Sequence, residues 1–302
     1  MGAGQKEVAV SAARERLVIA PNQRRRTIVG AIRAARERLA LSIFRCDDRV
    51  VLEALAAAAR RGVHVRVLMT PRARAASADL ETVHAWLTAH GIEVRRYAGG
   101  MKYHAKYVVA DARLALVTTL NLTTRCFERT CDFTLTTPDP AVVTGLTALF
   151  EADWSDTPLQ FTAAQRERLI VGPDHDPRAR FGALIQEAQQ RIRLLDTKLS
   201  DRATCRVIDA RRYAGIAVAI ARRRAVRPLR AHGKLLLIDD RAAVIGSLAL
   251  SPASLDRRRE LAVVVRDPRV VATLDTFWRS YVEPAGAAAG LGVPGPFVEL
   301  AS

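Results

Sequence analysis

The sequence predicts an α/β protein built from two repeats related by a pseudo-two-fold axis, each a mixed sheet flanked by helices, with the functional site at their interface. Three observations carry this. The segment RLVIAP (Arg16 to Pro21) returns as RLIVGP (Arg168 to Pro173), and the order of elements after each copy is the same. A longer stretch, YHAKYVVADARLALVTTLN (Tyr103 to Asn121), returns as AHGKLLLIDDRAAVIGSLA (Ala231 to Ala249). Self-similarity on this scale marks a duplication, and strands alternating with helices mark the α/β class.

After the opening strand of the first repeat, AIRAARERL (Ala31 to Leu39) has helical apolar spacing and Leu41 to Phe44 reads as a short buried strand. The second repeat offers LIQEAQQRI (Leu184 to Ile192) and Leu194 to Asp196. The opening segments are offset by 152 residues and the later ones by 128, an offset that Asp139-Pro140 and Asp267-Pro268 also keep. The second repeat therefore lacks about one helix and one strand. In the first, that segment is ASADLETVHAWLTAHGIEVRRY (Ala76 to Tyr97), a helix ended by Gly91 and then a strand; one side of the site is expected to be more open for its loss. The division expected is a first repeat over 1–158, a shorter second repeat over 159–282 and a Gly/Pro/Ala-rich tail over 283–302, with a linker near Ser155 to Gln160. Two copies in one chain are expected to pack as the subunits of a homodimer do.

Composition narrows the function classes. An apolar share of 49% in 302 residues supports a sizeable core. The first thirty residues carry charges throughout, and no stretch reaches signal-peptide or membrane-spanning apolar length, so a cytoplasmic chain is expected. Cys46, Cys126, Cys131 and Cys205 show no CxxC pairing and no histidine at zinc-finger spacing, which argues for reduced, mostly buried thiols and against a disulfide framework or structural metal. A formal charge of +16 attracts polyanions, either nucleic acid or anionic headgroups. Basic clusters such as Arg24 to Arg26, Arg222 to Arg224 and Arg257 to Arg259 are read as solvated faces.

The chemistry is concentrated in the second pair of repeated segments. His104 and Lys106 are two residues apart and share one face of an extended strand, Asp111 opens a turn, and the returning strand brings Thr118, Thr119 and Asn121 back beside His104. The second copy places His232, Lys234 and Asp239 likewise, with Gly246, Ser247 and Ala249 returning. Two chance occurrences of His-x-Lys-x4-Asp in this composition have odds on the order of 10⁻⁵. The chain has five lysines among 47 basic residues, and two of the five stand at the motif positions; a compact ammonium is wanted there. His64, His84, His90 and His175 lack such context, and His84 and His90 are not spaced as a helical metal pair. Trp86, Trp154 and Trp278 are read as core anchors.

HAKYVVAD and HGKLLLID, with their hairpins, resemble the paired HxKx4D motifs of the phospholipase D superfamily over roughly residues 16 to 282. The resemblance implies a metal-independent phosphodiesterase or phosphatidyltransferase that needs no cofactor, with His104, Lys106, Asp111, His232, Lys234 and Asp239 as its motif residues. One histidine would attack phosphorus to give a phosphohistidine while the other protonates the leaving oxygen. Lys106, Lys234, Asn121, Ser247 and Thr119 would hold the phosphate oxygens; Asp111 and Asp239 are assigned to shaping the turn. In the family an acidic residue 28 positions after the histidine orients the imidazole, and here Asp132 and Glu260 stand at that spacing. Thr118-Thr119 departs from the family's Gly-Ser and Ala249 from its Asn, so the phosphate cage is expected to be incomplete on the second side.

The leading substrate is a phospholipid of an anionic membrane surface, with peripheral attachment to the inner face through headgroups, as in the bacterial phospholipase D and cardiolipin synthase branch. Nucleic acid is the alternative substrate, opposed by an aromatic content of 5% that leaves few stacking platforms. A third class is an inactive binder of anionic surfaces. No protein partner is implied.

Overall fold

Pro21 presets the first turn of a helix and has no amide proton to leave unpaired, and α1 (Pro21–Ala34) starts there, after β1 (Arg16–Val18). The computed structural model describes residues 14–71, 77–221, 226 and 228–282; the Arg222 to Arg224 cluster and the tail from Glu283 lie outside them. The chain continues through β2 (Arg38–Ile43), α2 (Arg49–Arg60), β3 (His64–Met69), α3 (Ser77–Ala89), β4 (Glu93–Arg96) and β5 (Lys102–Tyr103). Next come β6 (Tyr107–Ala110), β7 (Leu114–Thr118), α4 (Thr124–Arg129), β8 (Thr130–Cys131), β9 (Thr134–Thr137) and α5 (Pro140–Ser155).

The second half repeats the order with α6 (Ala163–Arg168), β10 (Leu169–Gly172), α7 (Pro177–Gln186), β11 (Arg191–Leu195), α8 (Arg202–Tyr213), β12 (Ala217–Ala221) and β13 (Arg230–Ala231). It closes with β14 (Lys234–Ile238), β15 (Ala242–Gly246), α9 (Pro252–Arg257), β16 (Arg258–Val265), α10 (Pro268–Phe277) and a π-helical turn, Trp278–Val282. Matched positions do matched work. Asp48 and Asp201 cap α2 and α8, and Asp139 and Asp267 cap α5 and α10, each accepting from first-turn amides.

One helix expectation moves. The spacing of Ala31 to Leu39 continues the helical pattern, yet α1 ends at Ala34 and Arg38–Leu39 already belong to β2. The reason lies 75 residues away: the Asp111 carboxylate accepts from the backbone N–H groups of Arg36, Glu37 and Arg38. Asp239 does the same for Gln189, Gln190 and Arg191, where the spacing of Leu184 to Ile192 also overruns. A buried or half-buried carboxylate that takes three amides fixes them in the loop geometry, not the helical one.

Each half forms a mixed sheet. The first runs β1-β9-β7-β6-β2-β3-β4, and the second runs β10-β16-β15-β14-β11-β12. The helix and strand expected only in the first half are α3 and β4, which extend its sheet beyond β3. Alternate residues of the paired hairpins point to opposite faces. Tyr107, Val109, Leu235 and Leu237 join one core shared by both halves with α5, α10 and Trp278. Val108 and Ala110 pack outward under α1 and α2, and Leu236 and Ile238 under α7. The shared core makes the two halves one packed body around the interface.

The halves also exchange strands. β5, which belongs to the first half, pairs in parallel with β16 of the second, Lys102 with Arg258 and Tyr103 with Arg259. β13 of the second half pairs in parallel with β8 of the first, Arg230 with Thr130 and Ala231 with Cys131. Each chain segment entering a motif histidine is thus held by the opposite half before it returns to its own sheet.

Candidate active site

The crossing explains where the histidines sit. The His104 amide donates to the Arg259 carbonyl at 2.9 Å, and the Gly233 amide, next to His232, donates to the Cys131 carbonyl at 2.8 Å. A side chain at Gly233 would meet the Phe133 ring of the other half at 2.8 Å, so only glycine lets the two segments approach. The motif is therefore not one continuous strand, as expected from spacing; it breaks between β5 and β6 because two different sheets claim its ends.

The acidic partners cross with the strands. His232 Nδ1 lies 2.8 Å from Asp132 Oδ1, and His104 Nδ1 lies 3.1 Å from Glu260 Oε1. Each imidazole is held by the carboxylate of the other half, not by the one 28 residues after it. The two contacts differ in quality. His232 and Asp132 make an aligned hydrogen bond, whereas the His104 and Glu260 atoms are close without hydrogen-bond alignment. With Nδ1 on a carboxylate, Nε2 is left as the nitrogen that can face a substrate.

Electrostatics sets the state of His104 and of the groups around it. Burial and then the Lys106 ammonium push His104 down to about 3, against the pull of Glu260, so this ring is neutral at physiological pH. Burial lowers Lys106 well below the usual lysine range, while Glu260 opposes the shift. Burial pushes the Asp132 carboxyl up, but His232 and hydrogen bonds from His232, Thr119 and Thr130 carry it below the usual carboxylate range. Glu260 follows the same pattern, with His104, Lys106 and Ser254 offsetting burial. Lys234 depresses both His104 and Lys106 from across the interface, as expected of a single site to which both halves contribute.

Lys106 and Lys234 are buried, and each Nζ donates to the carbonyl of its own histidine, at 2.7 and 2.8 Å. The side chain therefore folds back beneath the imidazole with further protons to donate. Asn121 lines the pocket described below, and its Oδ1 is buried without a hydrogen-bond partner.

The hydroxyls of Thr119 and Ser247 are not where the sequence places them. Thr119 Oγ1 donates to Asp132 at 2.6 Å and accepts from the Phe133 amide. Ser247 Oγ accepts from the Leu261 amide and donates to the Leu261 carbonyl. Both are buried and tie β7 and β15 to the strand behind, so Thr119 steadies an orienting carboxylate and Ser247 a backbone; neither proton points to a phosphate. The Gly-Ser departure has a packing cause. A Cβ on Gly246 would lie 2.3 Å from the Leu261 carbonyl, whereas at the matched position Thr118 fits by pairing its hydroxyl with Thr134 at 2.9 Å.

Asp111 and Asp239 stand at the far end of their hairpin strands, about 20 Å of extended chain from the histidines. Their φ values of 53° and 51° are left-handed, a conformation that Asp tolerates in tight turns. They belong to the motif by spacing and to the scaffold by position.

A pocket of about 430 Å³ opens beside His232 and is lined by Asn121, Thr197, Arg45, Lys198, Arg125 and Arg230, among others. The four cations were missed by sequence reasoning. Arg45 and Lys198 follow β2 and β11 at matched places, and Lys198 is another of the five lysines; that recurrence was the available signal. Burial and then Lys234 and Arg258 lower Lys198 from the usual lysine range, a crowding of positive charge that an anion would relieve. On the other side Phe44 packs against the His104 ring with centroids 4.5 Å apart and lies 5.2 Å from Lys106 Nζ.

Comparison with known proteins now fits the geometry. The sequence profile described as "Cardiolipin synthase, PLD-like domain" matches residues 28–154 and 168–281. The chain belongs to this family. Cardiolipin synthase A of Pseudomonas aeruginosa is 33% identical over 146 residues, which are 46% of this chain and 28% of that protein. The chain spans well under a third of the length of these curated relatives. Among solved structures, phosphatidylserine synthase of Haemophilus influenzae superposes with a TM-score of 0.70 at 12% identity, covering 92% of both chains. Polyphosphate kinase of Porphyromonas gingivalis superposes with a TM-score of 0.69 at 20% identity, over 87% of this chain and 46% of that one. At such identities these structures establish a shared fold.

The remaining sequence readings fall away from the site. His64 pairs with Glu93 at 2.6 Å, and His90 accepts or donates at the Trp86 carbonyl while stacking on that ring. Trp154 and Trp278 are core residues. Among the described residues none of the four cysteines forms a disulfide, Cys205 is the least buried of them, and no helix is long and apolar enough to cross a membrane.

Proposed function

We propose that this chain is a phosphodiesterase or phosphatidyltransferase of phospholipids that works through a phosphohistidine on His104. The observation that carries the reading is the asymmetric pair of imidazoles, one buried and neutral against Glu260, the other hydrogen-bonded to Asp132. The neutral His104 has a lone pair for attack on phosphorus; the P–N bond forms as the P–O bond to the leaving group breaks. The leaving oxygen takes the proton of His232 Nε2, and Asp132 stabilises the ring as it cycles between acid and base. Water or an alcohol then gives its proton back to His232, attacks phosphorus and releases His104. Lys106, Lys234 and Asn121 stabilise the equatorial oxygens, where charge accumulates in the transition state. No step calls for a metal. Anionic headgroups would recruit the chain through its charge of +16.

A second reading, cleavage of nucleic-acid phosphodiesters, draws on the pocket wall. Its cations continue into a neighbouring concavity lined by Thr124, Arg125, Glu128, Arg129 and Arg230, and the large apolar side chains exposed among the described residues are Val50, Tyr213 and Tyr281. The deciding experiment presents the full chain, with EDTA, to labelled anionic vesicles and to single- and double-stranded DNA. Release of phosphatidic acid or a headgroup-exchanged lipid, absent in His104→Ala, is expected. Cut DNA with intact lipid would transfer the assignment to the nuclease, and silence on both substrates would remove the enzymatic reading.

A further inference from the structure

The carboxylate that holds His232 has a thiol beside it where the matched position of the other half carries a hydroxyl. Cys126 on α4 occupies the place of Ser254 on α9, 128 residues on. Ser254 donates to Glu260 at 2.7 Å and so supports the carboxylate of His104. In the first half that support comes from the hydroxyls of Thr119 and Thr130, which leaves the thiol of Cys126 outside the hydrogen-bond scheme of Asp132. The Cys126 sulfur, an Asp132 oxygen and a His232 ring nitrogen all lie within 4.8 Å of one another. Cys126 and His232 both line the 430 Å³ pocket, so the cluster has an open side and an entry path.

We propose that Cys126, Asp132 and His232 form a binding site for a thiophilic divalent cation of the zinc class, and that occupation switches the site off. Thiolate, imidazole and carboxylate are the donor set that zinc takes in three-ligand sites with a fourth position open to solvent, whereas magnesium and calcium prefer oxygen donors alone. Around a tetrahedral ion with bonds of about 2.0–2.3 Å, ligand atoms are roughly 3.5 Å apart, so a small side-chain rotation closes the present cluster. Thiolate and carboxylate together balance the charge of the ion, despite Lys106 and Lys198 nearby. On binding, the thiol proton leaves to solvent, the metal takes the Nδ1 lone pair and the ring proton moves to Nε2, which opens the His232–Asp132 hydrogen bond. A metal-bound imidazole gives up its remaining proton far less readily than an imidazolium does, so His232 no longer serves as acid. The inhibition rests on the activity proposed above; the binding does not.

The test uses the full chain with cobalt and zinc. Cobalt(II) is expected to produce a near-ultraviolet thiolate-to-cobalt absorption band in wild type that is missing in Cys126→Ser and unchanged in Cys205→Ser, the least buried of the four thiols. On a short-chain phospholipid, whose leaving alcohol needs a proton from His232, zinc is expected to inhibit wild type reversibly, with EDTA restoring the rate. Cys126→Ser, which places at 126 the residue that the other half carries, is expected to need about tenfold or more zinc for the same fractional inhibition relative to its own zinc-free rate. A wild type without the cobalt band, or a Cys126→Ser that keeps it, overturns the site whether or not the substrate is turned over. A band with no zinc inhibition would leave a metal site and overturn the switch.

Discussion

The two halves carry the same motif in different surroundings, and the difference is chemical. His104 has 12% of its side chain exposed and meets Glu260 off-axis; His232 has 29% exposed and shares an aligned hydrogen bond with Asp132. The first half keeps Asn121 where the second has Ala249, and the second keeps Gly246 where the first has Thr118. Duplication supplied two equivalent imidazoles. Under the mechanism proposed above, divergence around them would suit one ring to attack and the other to proton transfer, as an in-line displacement at phosphorus requires.

The largest effect that could break this comparison is removal of either ring. His104→Ala is expected to lose about 10³-fold or more of kcat on every phosphodiester, whereas His232→Ala should recover much of its loss when the leaving group is p-nitrophenolate, which needs no acid. Equal rescue of both variants would abolish the assignment of roles. Next in size, Lys106→Met and Lys234→Met are each expected to cost about 10²-fold or more in kcat with little change in KM, because both act on transition-state charge.

The crossed carboxylates give a sharper test. In steady-state kinetics Asp132→Asn should couple strongly to His232→Ala and add independently to His104→Ala, while Glu260→Gln should couple to His104→Ala. Coupling within each half instead would contradict the exchange of strands.

The pH dependence of stability tests the burial of His104. The His104 pKa is lowered on folding, to about 3, so between that value and the unfolded one near 6.5 the unfolded chain binds the extra proton. Its stability contribution is present above the unfolded pKa and is lost as pH falls through this window, at up to about 1.4 kcal/mol per pH unit. In chemical denaturation His104→Gln should lack this component and show a shallower loss from pH 6.5 down to 4. The smallest effect belongs to the turns. Asp111→Ala should lower stability by about 1–3 kcal/mol through three unpaired amides and leave the activity of the folded fraction unchanged.

Much of this could be read directly. The duplication, the α/β class, the Asp-Pro pairs that open α5 and α10, and the pairing of His104 and His232 with their lysines all rest on local patterns that recur in the second half. Legibility ended wherever a residue's partner came from afar. The helix of Ala31 to Leu39 was overrun because its stop is a carboxylate at Asp111, and Thr119 and Ser247 were placed on phosphate because nothing in their own segments shows that Phe133 and Leu261 claim their hydroxyls. Of the pocket cations, Arg125 and Arg230 look like any other surface charge until the fold brings them to one wall with Arg45 and Lys198.

The sequence by itself determined that two copies of one motif exist and that Asp132 and Glu260 follow their histidines at one spacing, because residue type and periodicity are properties of a single segment. Only the tertiary structure decided which carboxylate serves which imidazole. That choice depends on β5 crossing to β16 and β13 to β8, and strand exchange between equivalent halves leaves no mark in either segment, because the partner strand is a hundred or more residues away.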